Sequence, residues 1–461
     1  MKRPNILFLI PHDLGTFINC YGYESVRSPN LNALAQRGVS FTHCFTTTAE
    51  CTPSRGAMMT GLMPHQNGLM GLSNFGWSLT VPHLARRLRD AGYATHHFGF
   101  QHETHEPVET LGYVHAHHDG GSKADVVCGH ICDFLDSEAA RTECPWFVYA
   151  GFSNVHRPWP RATRFKPEDI QVPSWLPDTP VVRSDLARFH QDIEDMDAAV
   201  GEVLSTLRKT GLDEDTLTVF TTDHGAAFPG AKATMYDPGI QIPLFMHWPG
   251  RVEGGSRFDA LLSSMDITPT LLEAGGAPLP DGLAGRSFWP LLNGDVYAER
   301  ENVAGALFYD VAYDPMHYVR TKTHKYIRSF ATTDTDARGA DPDTLSSFAA
   351  GRWIRVDDFD VLTSPAWQAL KPRAASPRPP AEELYDLQND PDERTNLAAD
   401  PAAESVLAEM RERLDRMMKE TDSPLSREHV QPPERQRQAA RSHAAGSERA
   451  RNEIEKRRQL L

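Results

Sequence analysis

The chain has 461 residues, 40% of them hydrophobic and 24% charged, and carries a formal net charge of -15. That is more chain than one compact domain usually holds, in the composition of a globular protein. The acidic balance argues against nucleic acid as a partner, and six cysteines in this length do not make a disulfide scaffold.

The apolar run from Asn5 to Ile10 is too short for a secretory signal or a membrane span, so the expectation is a cytoplasmic protein without membrane association. Ile6 to Ile10 reads as a buried strand, central in a largely parallel sheet, and it ends at His12-Asp13. Open α/β folds place ligands at the carboxyl ends of such strands. Ser28-Pro29 opens a helix through Leu31, Leu34 and Ala35 that Gly38 stops. Pro53 suits the first turn of another helix, which sets Cys51 at the mouth, among free backbone N–H groups and near Arg55. Thr80 is placed to cap a helix through Leu84 and Leu88.

Ala94 to Gly99 is a strand followed by Gln101-His102-Glu103, and Pro145 to Gly151 is another, followed by Asn154 to Pro158 with His156. The six histidines between His97 and His118 read as a solvated loop. Cys128 and Cys132 around His130 read as a packed helix face rather than a metal site. Residues 160–180 form a Pro-rich surface excursion. Ser184 to Leu207 is a long helix with Asp195, Asp197 and Glu202 on its wet face. Thr216 to Thr222 is a strand feeding Asp223-His224-Gly225, Ile242 to His247 another, and Asp266 to Ala274 a short apolar helix.

This alternation of strands and helices gives a doubly wound α/β domain over residues 1–298. Short strand-like pieces, Tyr318 to Arg320 and Lys325 to Arg328, followed by Glu383 to Leu387, mark a smaller subdomain over 299–424. It holds a polar, Pro-rich long loop at 331–380. Residues 425–461 are a charged tail, helical or disordered.

Four chemically capable groups stand just after strand ends: His12-Asp13, Gln101-His102-Glu103, His156 and Asp223-His224. In one sheet these ends share a rim, and Cys51 opens a helix in the same chain. Asp13 and Asp223 offer hard oxygen ligands to a divalent cation, which would offset the charge of a sulfate or phosphate; His12 and His224 offer nitrogen.

The Cys51-Thr52-Pro53-Ser54-Arg55 run, with Thr60-Gly61 behind it, resembles the maturation signature of type I sulfatases, in which the cysteine is oxidised to formylglycine. Pro64-His65-Gln66-Asn67-Gly68, the Asp223 segment with Phe228-Pro229, Tyr236-Asp237-Pro238-Gly239, and the closing Glu383 to Leu387 with Asp390-Pro391 and Asn396-Leu397 extend the resemblance from about Asn5 to Asn396. In detail the chain looks most like the N-sulfoglucosamine sulfohydrolase branch. The resemblance implies an alkaline-phosphatase/sulfatase-like fold: a large, mostly parallel sheet between helices, and a smaller C-terminal α+β domain with a short antiparallel sheet. It implies a metal held by Asp13, Asp223 and the modified Cys51, with His12 and His224 in adjacent ligand positions. Arg55 would pin the formylglycine diol. Lys232 would grip the sulfate, with Gln101 and His156 also against the substrate. His102 and His156 would handle protons. The metal implied is calcium, with manganese the alternative. The substrate is a sulfated, glycosaminoglycan-derived saccharide, and the partner a formylglycine-generating or anaerobic sulfatase-maturing enzyme.

Three positions depart from the family pattern. His12 replaces an aspartate, His224 an asparagine, and Phe100-Gln101 stands where a catalytic lysine is usual. Other readings of the same residues are a phosphonate or phosphate mono- or diesterase, a glycan-binding homologue without turnover, and a thiol hydrolase whose Cys51 is activated by Arg55 and the helix mouth.

Overall fold

A doubly wound α/β domain runs its strands mostly parallel, and the observed sheet comes close to that. The computed structural model describes residues 3–438 except 118, 310–312, 331–344, 348–352, 356–358, 363, 371–379 and 427–429. The large sheet contains β1 (Asn5–Ile10), β2 (Val39–Phe45), β3 (Ala94–Gly99), β4 (His115–His117), β5 (Trp146–Gly151), β6 (Thr216–Thr221), β7 (Gln241–His247), β8 (Arg257–Phe258) and β9 (Leu262–Ser263). Its order is β4-β3-β5-β1-β6-β7-β2-β8, with β9 also on β2. Only β7 runs against its neighbours. β1 is central, with Leu9 beside both Ala150 and Phe220.

The period of two along a strand sends alternate residues of β1 to opposite layers. Leu7 and Leu9 join the core formed with α1 (Pro29–Arg37), α5 (Ala124–Asp136) and α6 (Pro180–Lys209). Ile6, Phe8 and Ile10 join the core on the other face, with α2 (Cys51–Thr60), α4 (Leu84–Asp90), α8 (Ile267–Ala274) and α9 (Trp289–Asn293). Each such fully buried side chain contributes about 1.5–3 kcal/mol relative to exposure. The short helices α3 (Pro64–Asn67) and α7 (Asp237–Ile240) complete this part.

A second, antiparallel sheet follows, ordered β10 (Val303–Tyr309), β11 (Tyr313–Arg320), β12 (His324–Ser329) and β15 (Glu382–Asp386), with α12 (Glu404–Glu420) packed on it. It docks onto the segment that precedes Cys51. Tyr318 donates to the Thr46 carbonyl at 2.6 Å and the Ala306 N–H to the Thr47 carbonyl at 2.8 Å. The stretch expected as a long loop, 331–380, carries in its described residues a two-stranded piece, β13 (Leu345–Ser347) and β14 (Trp353–Arg355). It also carries α10 (Phe359–Leu362) and α11 (Pro365–Leu370). Val361, Ala366 and Trp367 are buried in the α6 core, which is why part of a polar stretch is held against the domain. Of the expected tail, residues 439–461 lie outside the described residues. Before them, Leu425, Val430 and Gln436 are buried, and Trp77 donates to Gln436 at 3.1 Å.

Three local expectations change. Asp197 is not on a wet face: it is buried and accepts from the backbone N–H groups of Asn30 and Leu31 at 3.1 and 2.8 Å, capping α1 from α6. Thr80 does not cap α4; His83 does, accepting from the Ala85 N–H, while Thr80 donates to the Asn67 carbonyl. The histidine-rich region is only in part a solvated loop: His105 is exposed in one, but His97 is buried on β3, and His115 and His117 lie on β4. His96, also buried on β3, stacks on His115 at 4.4 Å. His118 lies outside the described residues. Cys128 is buried on α5, while the His130 ring reaches the Asp119 carbonyl, in keeping with a packed helix face. Among the described residues no helix is long and apolar enough to cross a membrane.

Candidate active site

The loops after β1, β5 and β6 are tied to one another by their backbones. The His12 N–H donates to the Asn154 carbonyl at 2.7 Å, Val155 N–H to the His12 carbonyl at 2.9 Å, and Gly15 N–H to the His224 carbonyl at 2.9 Å. Gly225 explains how closely they meet. A Cβ there would stand 1.9 Å from the Pro238 carbonyl oxygen, so no side chain is tolerated after His224.

Helix α2 enters this knot at its N-terminus, and its signature residues grip the loops after β1, β3 and β6. Thr52 donates to the His102 carbonyl at 2.7 Å. Ser54 donates to the Asp223 carbonyl at 2.7 Å. Arg55 donates through Nε to Asp223 Oδ2 at 2.9 Å, through Nη1 to Tyr149 at 2.8 Å and through Nη2 to the Pro11 carbonyl at 3.0 Å. Tyr149 in turn donates to Glu103 at 3.2 Å. Arg55 is therefore engaged in fixing Asp223 and the end of β1; none of these three bonds goes to Cys51.

The result is a fully buried cluster of His12, Asp13, Cys51, Asp223 and His224, whose ligating atoms all lie within 4.8 Å of one another. His12 Nδ1 is 2.6 Å from Asp13 Oδ1 and 3.4 Å from Asp223 Oδ2. His224 Nε2 is 3.3 Å from the Cys51 sulfur and 3.4 Å from Asp13 Oδ1. Two carboxylates, two imidazoles and the residue-51 side chain converging without solvent fit a divalent ion, which would compensate charge that burial otherwise penalises.

Burial works to raise both carboxyls, but Lys232 and His12 hold Asp13 well below the usual carboxylate range, and His12 and Arg55 do the same for Asp223. Burial lowers His12 to about 4 against the pull of Asp223 and Asp13. The Cys51 thiol is pushed well above its ordinary value by burial, with Lys232 only opposing. The direction is opposite to the lowered value that the activated-thiol reading needs.

Beside the cluster, Lys232 donates to Asp13 Oδ2 and to Asp360 Oδ2, both at 2.9 Å. His156 Nε2 is 3.0 Å from the same Asp360 oxygen and 3.5 Å from Lys232. Burial lowers the charge preference of His156, yet Asp13 and Asp360 outweigh it and raise it to about 9. His102 stands further out, its ring 6.0 Å from His12, and burial lowers it to about 3.

Gln101 turns into its own loop. Its amide donates to the Thr104 carbonyl at 2.7 Å and accepts from the Glu103 and Thr104 N–H groups. Phe100, at the place of the usual lysine, packs under the Arg55 guanidinium at 5.4 Å. The sequence reading missed Asp360 and Tyr149, and named Glu103 only within the group after β3, without a role. Glu103 and Tyr149 had a signal, since one follows a strand end and the other alternates with Phe147 on β5. Asp360 had none, lying in the polar stretch far from any motif.

The sulfatase family model matches residues 4–277, and that of the N-sulphoglucosamine sulphohydrolase C-terminal region matches residues 228–346. Human N-sulphoglucosamine sulphohydrolase is 29% identical to this chain, over 92% of it and 91% of the relative. An ulvan-active sulfatase of Formosa agariphila is 28% identical, over 90% and 75%. Among solved structures, a protein in complex with its substrate D-glucosamine-2-N,6-O-disulfate superposes with a TM-score of 0.70 at 19% identity, covering 93% of this chain and 100% of that one. A 2-O glycosaminoglycan sulfatase does so with 0.68 at 22% identity, over 94% and 96%.

Proposed function

Because the chain belongs to the sulfatase family, we propose that it hydrolyses a sulfate ester or N-sulfo group of a glycosaminoglycan-derived sugar, with Cys51 as the residue matured to formylglycine. The observation that carries this is the meeting of Cys51 with two buried Asp/His pairs beneath Lys232. The likeness to N-sulphoglucosamine sulphohydrolase over nearly the whole of both chains supports the sugar class.

The family implies a divalent metal and formylglycine. His12, Asp13, Asp223 and His224 would hold the metal, which would polarise the bond to sulfur and offset the sulfate charge. Residue 51, once matured, would supply the attacking oxygen. Lys232, already bound to one carboxylate of the cluster, aims its ammonium toward the place where sulfate oxygens arrive. His156 carries a proton at Nδ1 that it gives to the Arg157 carbonyl, leaving Nε2 facing Asp360 and Lys232 to pass a proton to the departing sugar oxygen or nitrogen. His156, held charged, is suited to donating a proton, whereas burial keeps His102 neutral. Arg55 keeps Asp223 oriented.

The test is co-expression with a formylglycine-generating enzyme. The Cys51 peptide is expected to lose about 18 Da, the mass change of thiol to aldehyde. The matured protein then releases sulfate from N-sulfo or O-sulfo glucosamine, and Cys51→Ala does not. Matured protein that turns over phosphodiesters or phosphonates in preference to every sulfated sugar would reverse the assignment toward the esterase reading, which the two imidazoles at the cluster favour. A Cys51 that stays a thiol beside an active maturase would remove the nucleophile altogether.

A further inference from the structure

The oxygen atoms around the buried cluster are almost all spoken for. Asp13 Oδ2 accepts from Lys232 at 2.9 Å, and Oδ1 lies 2.6 Å from His12 Nδ1. Asp223 Oδ1 accepts from the backbone N–H groups of Asp13 and His224 at 2.9 and 3.0 Å, and Oδ2 accepts from Arg55. Asp223 Oδ1 therefore has both lone pairs taken, while Asp223 Oδ2 and the two Asp13 oxygens each keep one for an ion. The nearby carbonyls are also taken: Pro11 by Arg55, and Gly225 by His224 Nδ1 at 2.9 Å.

That last bond fixes a tautomer. With its proton on Nδ1, His224 presents the Nε2 lone pair to Cys51 and Asp13, the arrangement that outer partners impose on a metal-binding imidazole. The chain thus offers oxygens of Asp13 and Asp223, the Nε2 lone pair of His224, the His12 Nδ1 once an ion displaces the proton it shares with Asp13, and the residue-51 side chain. Calcium seeks six to eight oxygens in a loose shell. Four or five mixed nitrogen and oxygen donors are what first-row transition ions take.

We infer that this centre selects a first-row transition ion such as manganese or zinc over calcium, with His12 and His224 as the selecting residues. The inference rests on the cluster being the metal centre proposed above, and it deepens that reading by naming the ion class.

The full-length protein, stripped of metal, is dialysed against equal manganese and calcium, and the bound ions are counted by mass spectrometry. One manganese per chain is expected, held at least about tenfold in preference to calcium. Pulsed electron paramagnetic resonance of the manganese form is expected to show nitrogen couplings from two imidazoles, falling to one in His224→Asn. Calcium retained against manganese, or a manganese spectrum without nitrogen couplings in the unaltered protein, would overturn the selectivity and leave the metal centre standing. Failure to retain any divalent ion, zinc included, would overturn both.

Discussion

At the scale of single residues, Asp360 is the unexpected member of the site. A carboxylate 2.9 Å from the lysine meant for sulfate is a competitor for it, and it stays because His156 shares the same oxygen. Asp360→Ala is expected to tighten inhibition by inorganic sulfate about fivefold, the scale of one lost unit charge a few ångströms away in a wet pocket, while slowing turnover. An inhibition constant that stays the same or rises would remove Asp360 from the anion site. The rest of the cluster was largely legible. Asp13, Cys51, Arg55, Asp223 and Lys232 sit in short motifs whose spacing is set by strand ends and one helix mouth. Arg55 was read as a diol contact because sequence shows which residue is present and not which loop it is turned toward. Asp360 is brought in by Val361 and Trp367 sinking into the core, a tertiary fact that a polar, Pro-rich stretch does not announce.

At the scale of elements, the strands that carry the site could be read from uninterrupted apolar runs, since a parallel strand covered on both faces needs them. β2 and β4 could not. β2 alternates Val39, Phe41 and His43 with polar partners, and β4 is three residues with two histidines. Helix ends were less readable still, because caps can come from elsewhere in the fold. The first turn of α1 is served by Asp197 on α6, 167 residues from Asn30. Asp197→Ala leaves two N–H groups of that turn without their acceptor and is expected to cost about 1–3 kcal/mol. Urea denaturation reads it as a lower midpoint at unchanged slope. A midpoint within error of the parent would mean that water replaces the cap.

At the scale of the whole molecule, several histidines are folded in uncharged. Burial lowers His65 to about 4 and both His190 and His317 to about 3, all from an ordinary 6.5. Below pH 6.5 the unfolded chain binds these protons and the folded chain does not, so stability is full above 6.5 and drains as pH falls toward the folded values. Each group removes about 1 kcal/mol by pH 5.5, well before carboxylates such as Glu103, held to about 2, begin to contribute. Among the described residues neither ring nitrogen of His190 has a hydrogen-bond partner, and the ring packs against Phe165 at 5.6 Å. His190→Phe is expected to raise the thermal midpoint at pH 7 and to flatten the loss between pH 7.5 and 5.5. Thermal melts across that range check both, and an unchanged slope would show that His190 already finds a proton in the folded state.

The burial of Cys51 also sets a schedule. Its thiol is sealed by residues on both sides in sequence, and the later half of the seal, Asp223-His224, is synthesised about 170 residues after it, or roughly 10–30 s at ordinary translation rates. An enzyme that oxidises this thiol would have that interval, before β6 inserts beside β1, to reach an extended segment. If maturation needs that extended segment, closure of the sheet would fix the fraction of active molecules, specific activity would record a race between synthesis and modification, and incubating folded protein with a maturing enzyme would leave it unchanged.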